Sequence, residues 1–149
     1  MATDTRADLE ANKTVARAFI DRVFVHGDPA AIDELAGENF VAHTFGPTPV
    51  GRDALKAALP RVADGISDPA FFIDDVIAED DRVAVRLTSS ATHTGTFMSV
   101  PPSGNRYTIQ EIHIFRIRDG QVVEHWHEFD KAALLAQLKP KVEAAAATR

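Results

Sequence analysis

The sequence predicts an α+β domain, with helices first and an antiparallel meander after them. Apolar residues recur at helical spacing as far as Pro60 and alternate with period two from Phe71 onward. The length, 149 residues with 45% hydrophobic content, suits one core and one domain spanning 1–149. Segregated helices and strands of this kind predict a curved antiparallel sheet wrapped by N-terminal helices around a pocket.

Each element follows from local chemistry. In Leu9 to Val25, Val15, Phe19 and Val23 recur every four residues beside Ala16, Ile20 and Phe24, which paints one broad apolar stripe. His26-Gly27 ends that helix, with Gly27 suited to a left-handed cap. Asp28 and Pro29 are a good N-cap and first helical residue for a short helix carrying Ile32 and Leu35. Phe40 to Phe45 reads as extended, and Gly46, Pro47 and Pro49 as a loop. A third helix starts near Asp53 and is expected to break or kink at Pro60.

Strand patterning then takes over. Phe71 to Ile77 and Arg82 to Leu87 alternate on either side of a charged turn, Glu79-Asp80-Asp81. The stretch from Thr94 to Asn105, with two glycines and two prolines, reads as a loop that serves as lid or dimer contact. Tyr107 to Ile117 is a long strand, Asp119-Gly120 a hairpin turn needing positive φ, and Val122 to Phe129 the returning strand. Asp130 caps a last helix carrying Leu134, Leu135 and Leu138, and residues 139–149 form an expected frayed tail.

Composition narrows the function. The formal net charge is −6, whereas a nucleic-acid partner calls for a basic face. There is no cysteine, hence no disulfide, thiolate metal site or cysteine nucleophile. The polar N-terminus lacks a signal-peptide core and no apolar run approaches membrane-spanning length, so a cytoplasmic location without membrane contact is expected. Neither a Gly-x-Ser-x-Gly nor a Gly-x-Gly-x-x-Gly signature occurs.

The segments GDPAAIDELAGENFVAHTFGPTPVGRDALK, DDVIAEDDRVAVRLTSSATHTGTF, PPSGNRYTIQEIHIFRIRDGQVVEHW and FDKAALLAQL together resemble the SnoaL-like polyketide cyclase, or ester cyclase, family of the NTF2-like superfamily, from about residue 12 to 138. The most specific part is the Ile114–Ile117 strand with Asp119-Gly120 and Glu124-His125-Trp126. The resemblance implies a cone-shaped α+β barrel, a homodimer, and acid–base chemistry with neither cofactor nor metal. Its best-known members close a ring in a polyketide ester by an intramolecular aldol reaction. Other members isomerise, open epoxides, assist hydroxylation or only bind ligands. The acid/base aspartate that commonly follows the tryptophan is His127 here, and the polar positions on the preceding strand match Glu111 and His113.

The residues themselves point the same way. On one strand Tyr107, Ile109, Glu111, His113, Phe115 and Ile117 share a face. On the next, Val123, His125, His127 and Phe129 share a face unless a bulge intervenes, and pairing about the turn brings His127 near Glu111 or His113. Carboxylate and imidazole in an apolar setting exchange protons near neutral pH, as acid–base catalysis requires. The candidate catalytic residues are therefore His127 as general base or acid, Glu111 orienting it, and His113 hydrogen-bonding a developing enolate oxygen. His43 at the pocket mouth, with Phe19 and Phe115 in the wall, are the candidate substrate contacts for a small hydrophobic carbonyl compound.

Plainer roles compete. Glu111 with His113 could be a structural pair, His125 is expected at the solvent or against Trp126, and Trp126 in core or interface. Asp74 and Asp75 read as solvated strand-end groups, and His26 and His93 carry no site signal. Three rival functions remain: a binding module for a hydrophobic molecule, a metal site of His113, His125, His127 and Glu111, and carboxylate-driven epoxide or ester hydrolysis.

Overall fold

The computed structural model describes residues 5–43 and 46–141. The expectations for Phe45 and for the tail beyond 141 lie outside these. Helix α1 (Arg6–Phe19) opens with Thr5 and Asp8 capping each other reciprocally. It runs into a π-helical turn, Ile20–Val25, whose wider winding sequence spacing does not reveal. Gly27 (φ 62°) breaks the chain and α2 (Pro29–Leu35) begins on Asp28, whose Oδ1 accepts from Ala30 N at 2.9 Å.

Strand β1 (Ala36–Ala42) follows α2 without a loop, so the extended piece begins four residues before Phe40. Helix α3 (Arg52–Gly65) continues through Pro60, where a break or kink was expected, so the helix is not broken there. Proline removes one backbone donor, but Pro60 is exposed, and water can take the carbonyl left over on the previous turn. Strand β2 (Ile66–Glu79) also begins early, directly from Gly65. Asp74 and Asp75 lie at its bulge, where they bond Thr88 and Arg86 rather than standing free at a strand end.

Strands β3 (Arg82–His93), β4 (Arg106–Arg118) and β5 (Gln121–Phe129) complete a five-stranded sheet of order β1-β5-β4-β3-β2. Three pairings are antiparallel, but β1 runs parallel to β5, so the sheet is mixed rather than purely antiparallel. It does not close; β1 and β2 are its edges. Asp119 (φ 50°) and Gly120 (φ 74°) make the tight turn between β4 and β5 with both residues left-handed.

Alternation on β3 and β4 buries one face and leaves the other outside. The inner face holds two apolar clusters. The larger joins Phe19, Ile20, Val23 and Phe40 to Val83, Val85, Leu87, Phe115 and Ile117. The smaller joins Ala91, Tyr107 and Ile109 to Leu134 and Leu138 of α4 (Lys131–Leu138), with Phe97, Met98, Val100 and Phe129 packed half-buried against it. Residues 94–105 thus cover that end of the sheet. Asp130 caps α4 as expected, its Oδ1 accepting from Ala133 N at 2.9 Å. Asp130→Ala should cost about 1 kcal/mol, read as a lower urea midpoint at unchanged slope.

His93 is fully buried and bonds Ser103 Oγ and the Val100 carbonyl, a structural use in the loop. Among the described residues no helix is long and apolar enough to cross a membrane.

Candidate active site

Between the two apolar clusters lies a polar belt. Along β4 the inner face reads Tyr107, Ile109, Glu111, His113, Phe115, Ile117. Cross-strand register places His127 opposite His113 and His125 opposite Phe115. A bulge between Arg116 and Ile117 shifts the pairing, so that Val122 and not Val123 joins His125 on the inside. Ser89 reaches the belt from β3.

Glu111 is the hub. Its Oε1 accepts from the Ser89 hydroxyl. Its Oε2 lies 2.6 Å from His127 Nε2 and 3.2 Å from His113 Nε2. Burial alone would push this carboxyl up, but hydrogen bonds from His113 and His127 win and hold it well below the usual carboxylate range. Glu111 is therefore an anion buried among donors.

The proton positions follow. An ionised carboxylate only accepts, so both imidazoles present an Nε2–H to it. Burial pushes His113 down to about 4, against the pull of Glu111, so this ring is neutral and its Nδ1 is a bare acceptor. His125 Nε2, 3.0 Å away, must donate to it. His125 Nδ1 is then a lone pair without a partner, enclosed by Phe19, Phe24 and Phe115. Burial drives His125 downward as well, with the neighbouring imidazoles adding to it. An orphaned lone pair is tolerable there; an orphaned charge is not.

His127 differs from the other two rings. It stacks on His113 at 4.1 Å, meets Phe129 at a tilt with 5.0 Å between ring centroids, and is only partly buried. Its Nδ1 has no partner among the described residues and is not sealed from solvent. One ring nitrogen thus remains open to solvent while a carboxylate holds the opposite N–H.

The structure brings Glu111, His113 and His127 together, but gives His113 a different task. Both its nitrogens are engaged and the residue is 1% exposed, so it has no donor for an enolate oxygen. Phe19 and Phe115, the expected wall residues, are fully buried with ring centroids 5.5 Å apart, in the larger apolar cluster. His43, expected among the substrate contacts, is engaged by neighbours on the sheet. It stacks on Trp126 at 5.1 Å and its Nε2 lies 2.9 Å from Glu124 Oε1, within an ionic network through Arg116 to Asp81. His125 is buried at 2%, the reverse of its expected place, because its register partner is the inward Phe115.

Sequence reasoning missed Ser89 and Phe24. The strand alternation Val83, Val85, Leu87, Ser89 placed Ser89 inward, and that was the available signal. Phe24 reaches His113 and His125, at 5.4 and 5.5 Å, from the π-helical turn, for which the sequence offers none. Two described grooves, of about 480 and 380 Å³, lie at residues 104–106 with the end of α4, and between α1 and the β4–β5 turn. Neither includes the Glu111 cluster. Donor atoms of Glu111, His113 and His127 do lie within 4.8 Å of one another, close enough to share one ion.

The family model described as SnoaL-like polyketide cyclase matches residues 14–138. The chain belongs to the SnoaL-like family. Among solved structures, it resembles AclR of Streptomyces galilaeus, a candidate hydroxylase, at 27% identity and TM-score 0.76 over 87% of this chain and 96% of that one. Similarity to IdmH of Streptomyces antibioticus, a candidate polyketide cyclase, is 29% with TM-score 0.74, over 85% and 97%. A SnoaL-like protein from Jannaschia sp. CCS1 shares the fold, with TM-score 0.82 at 21% identity over 92% and 97%. No curated protein matches the chain. Within this SnoaL-like chain the histidine after the tryptophan sits on the buried carboxylate, a pairing that motif resemblance alone does not state.

Proposed function

We propose that this SnoaL-like protein catalyses proton transfer at a carbon next to a carbonyl, in a cyclisation or isomerisation of a polyketide-like compound in the cytoplasm. The observation that carries the reading is the Glu111–His127 pair, with one imidazole nitrogen held by the carboxylate and the other free. His127 Nδ1 takes the proton from carbon. The resulting imidazolium is stabilised by the anionic Glu111 and returns the proton at another atom of the same substrate. Ser89 and His113 keep Glu111 ionised through their own hydrogen bonds. Phe129, half-buried beside the His127 ring, offers an apolar contact to a hydrophobic substrate approaching that ring. Its similarity to IdmH, a candidate polyketide cyclase, favours the substrate class.

The test is exchange at carbon. Protein in D2O with a panel of β-keto esters of increasing ring content should incorporate deuterium at the activated carbon, seen by NMR, faster than buffer. Absence of exchange across the panel would remove the reading and leave a binding role.

A homodimer is part of this proposal. The outer sheet face exposes Phe72 (69%) and Ile77 (66%) on β2 and Ile112 (47%) and Ile114 (37%) on β4, with β3 between them. It also carries both signs of charge side by side, in Arg86 with Asp75 and Arg116 with Glu124, which suits a two-fold contact with a second copy. Ile114→Glu should convert dimer to monomer in light scattering at unchanged circular dichroism. A wild-type monomer would exclude this contact.

A further inference from the structure

The hub that positions a base also brings three potential ligand atoms within 4.8 Å of one another. Glu111 Oε2, His113 Nε2 and His127 Nε2 come from two hydrogen-bonded strands, β4 and β5, so the backbone holds them together. Two imidazoles and one carboxylate are the donor set of zinc sites that keep an open position, and of facial iron sites. Tetrahedral donors about 2.0–2.1 Å from an ion lie about 3.4 Å from one another. The His113–Glu111 distance of 3.2 Å already meets this, and the His127–Glu111 distance of 2.6 Å needs to open by less than 1 Å, or about 0.8 Å.

The surroundings meet the usual outer requirements of such a site. Ser89 holds the other oxygen of Glu111, which leaves Oε2 facing the imidazoles. A metal-binding imidazole normally has its second nitrogen bonded, and His113 Nδ1 is bonded to His125 Nε2. His127 is the partly exposed ligand, so the open position faces solvent and can take water.

We propose that Glu111, His113 and His127 bind one divalent first-row transition metal ion, in competition with the proton network that joins them in the metal-free protein. The competition is over lone pairs. Without the ion, His113 and His127 point Nε2–H at the carboxylate, and His125 carries its proton on Nε2. An ion needs both Nε2 lone pairs. The protons of His113 and His127 then sit on Nδ1, His113 donates to His125 Nε2, and the His125 proton moves to Nδ1. All three rings change tautomer, and none loses its proton. The Nδ1 lone pair of His127 disappears in the process, so the ion silences the base. The site goes beyond the acid–base reading and does not rest on it.

The experiment uses tag-free, full-length protein stripped with a chelator and titrated with Co2+ and with Zn2+. One equivalent of Co2+ should be retained through dialysis and should give a visible ligand-field band. Glu111→Gln and His127→Gln should each lose the band. Should a variant fold poorly, the wild type still decides the matter: ring 15N shifts on Zn2+ addition should move three histidines from Nε2–H to Nδ1–H, with exposed His26 unchanged. No retained metal, a band that survives both substitutions, or binding that leaves the three tautomers as they were would each overturn the site. Deuterium exchange that persists in chelator would show the acid–base reading standing whichever way the metal result falls.

Discussion

Deuterium exchange at the substrate carbon should fall about 10²–10⁴-fold when His127 is replaced by alanine, with the fold intact. Removing a positioned base has an effect of this order because proton transfer in the transition state reverts to water. The fold should survive because His127 is partly exposed and its ring stacks at the end of the polar belt rather than in the larger core. Aspartate at this position, the residue the family commonly places there, should not restore the rate. It would bring a second carboxylate against Glu111, and two adjacent carboxylates hold a proton between them instead of leaving one free to accept. Exchange rates of His127→Ala and His127→Asp within a factor of a few of wild type would remove His127 from the mechanism.

Acid should destabilise the metal-free protein well before its carboxylates titrate. His113 sits at about 4 in the folded chain against an ordinary 6.5, because burial opposes its charge. Between these values the unfolded chain binds a proton that the folded chain does not, so stability falls as pH falls. The span corresponds to roughly 3 kcal/mol. His125, also pushed downward by burial, acts in the same direction. Glu111 works at a lower pH. Its stabilisation is complete above the ordinary 4.5 and is lost only as pH falls through its depressed folded value. Urea midpoints measured from pH 7.5 to 4.5 should therefore decline steadily below about 6.5, and His113→Phe should flatten the decline even if it lowers the plateau. A midpoint constant down to pH 5 would mean that the imidazole chain is solvated, contrary to its burial.

Much of this protein was legible in the sequence, and the parts that were share a cause. Period-four spacing in α1, the Asp28-Pro29 and Asp130 caps, the left-handed Asp119-Gly120 turn and the alternation along β4 all depend on near neighbours in the chain. Alternation was enough to put Glu111 and His113 on one inward face, and the turn was enough to bring His127 alongside. What the sequence by itself determined is thus the α+β order and the presence of a carboxylate–imidazole cluster. Tertiary structure decided the rest. The bulge after Arg116 sends Val122 inward in place of Val123, and no pattern of single residues announces where an extra residue is absorbed. Pairing with Phe115 buries His125, and the π-helical turn carries Phe24 onto it. His43 goes to Trp126 and Glu124, because β1 docks parallel to β5, a contact between segments some eighty residues apart. Which nitrogen carries each proton was settled only there. It depends on which groups, distant in sequence, are left to donate to one buried carboxylate.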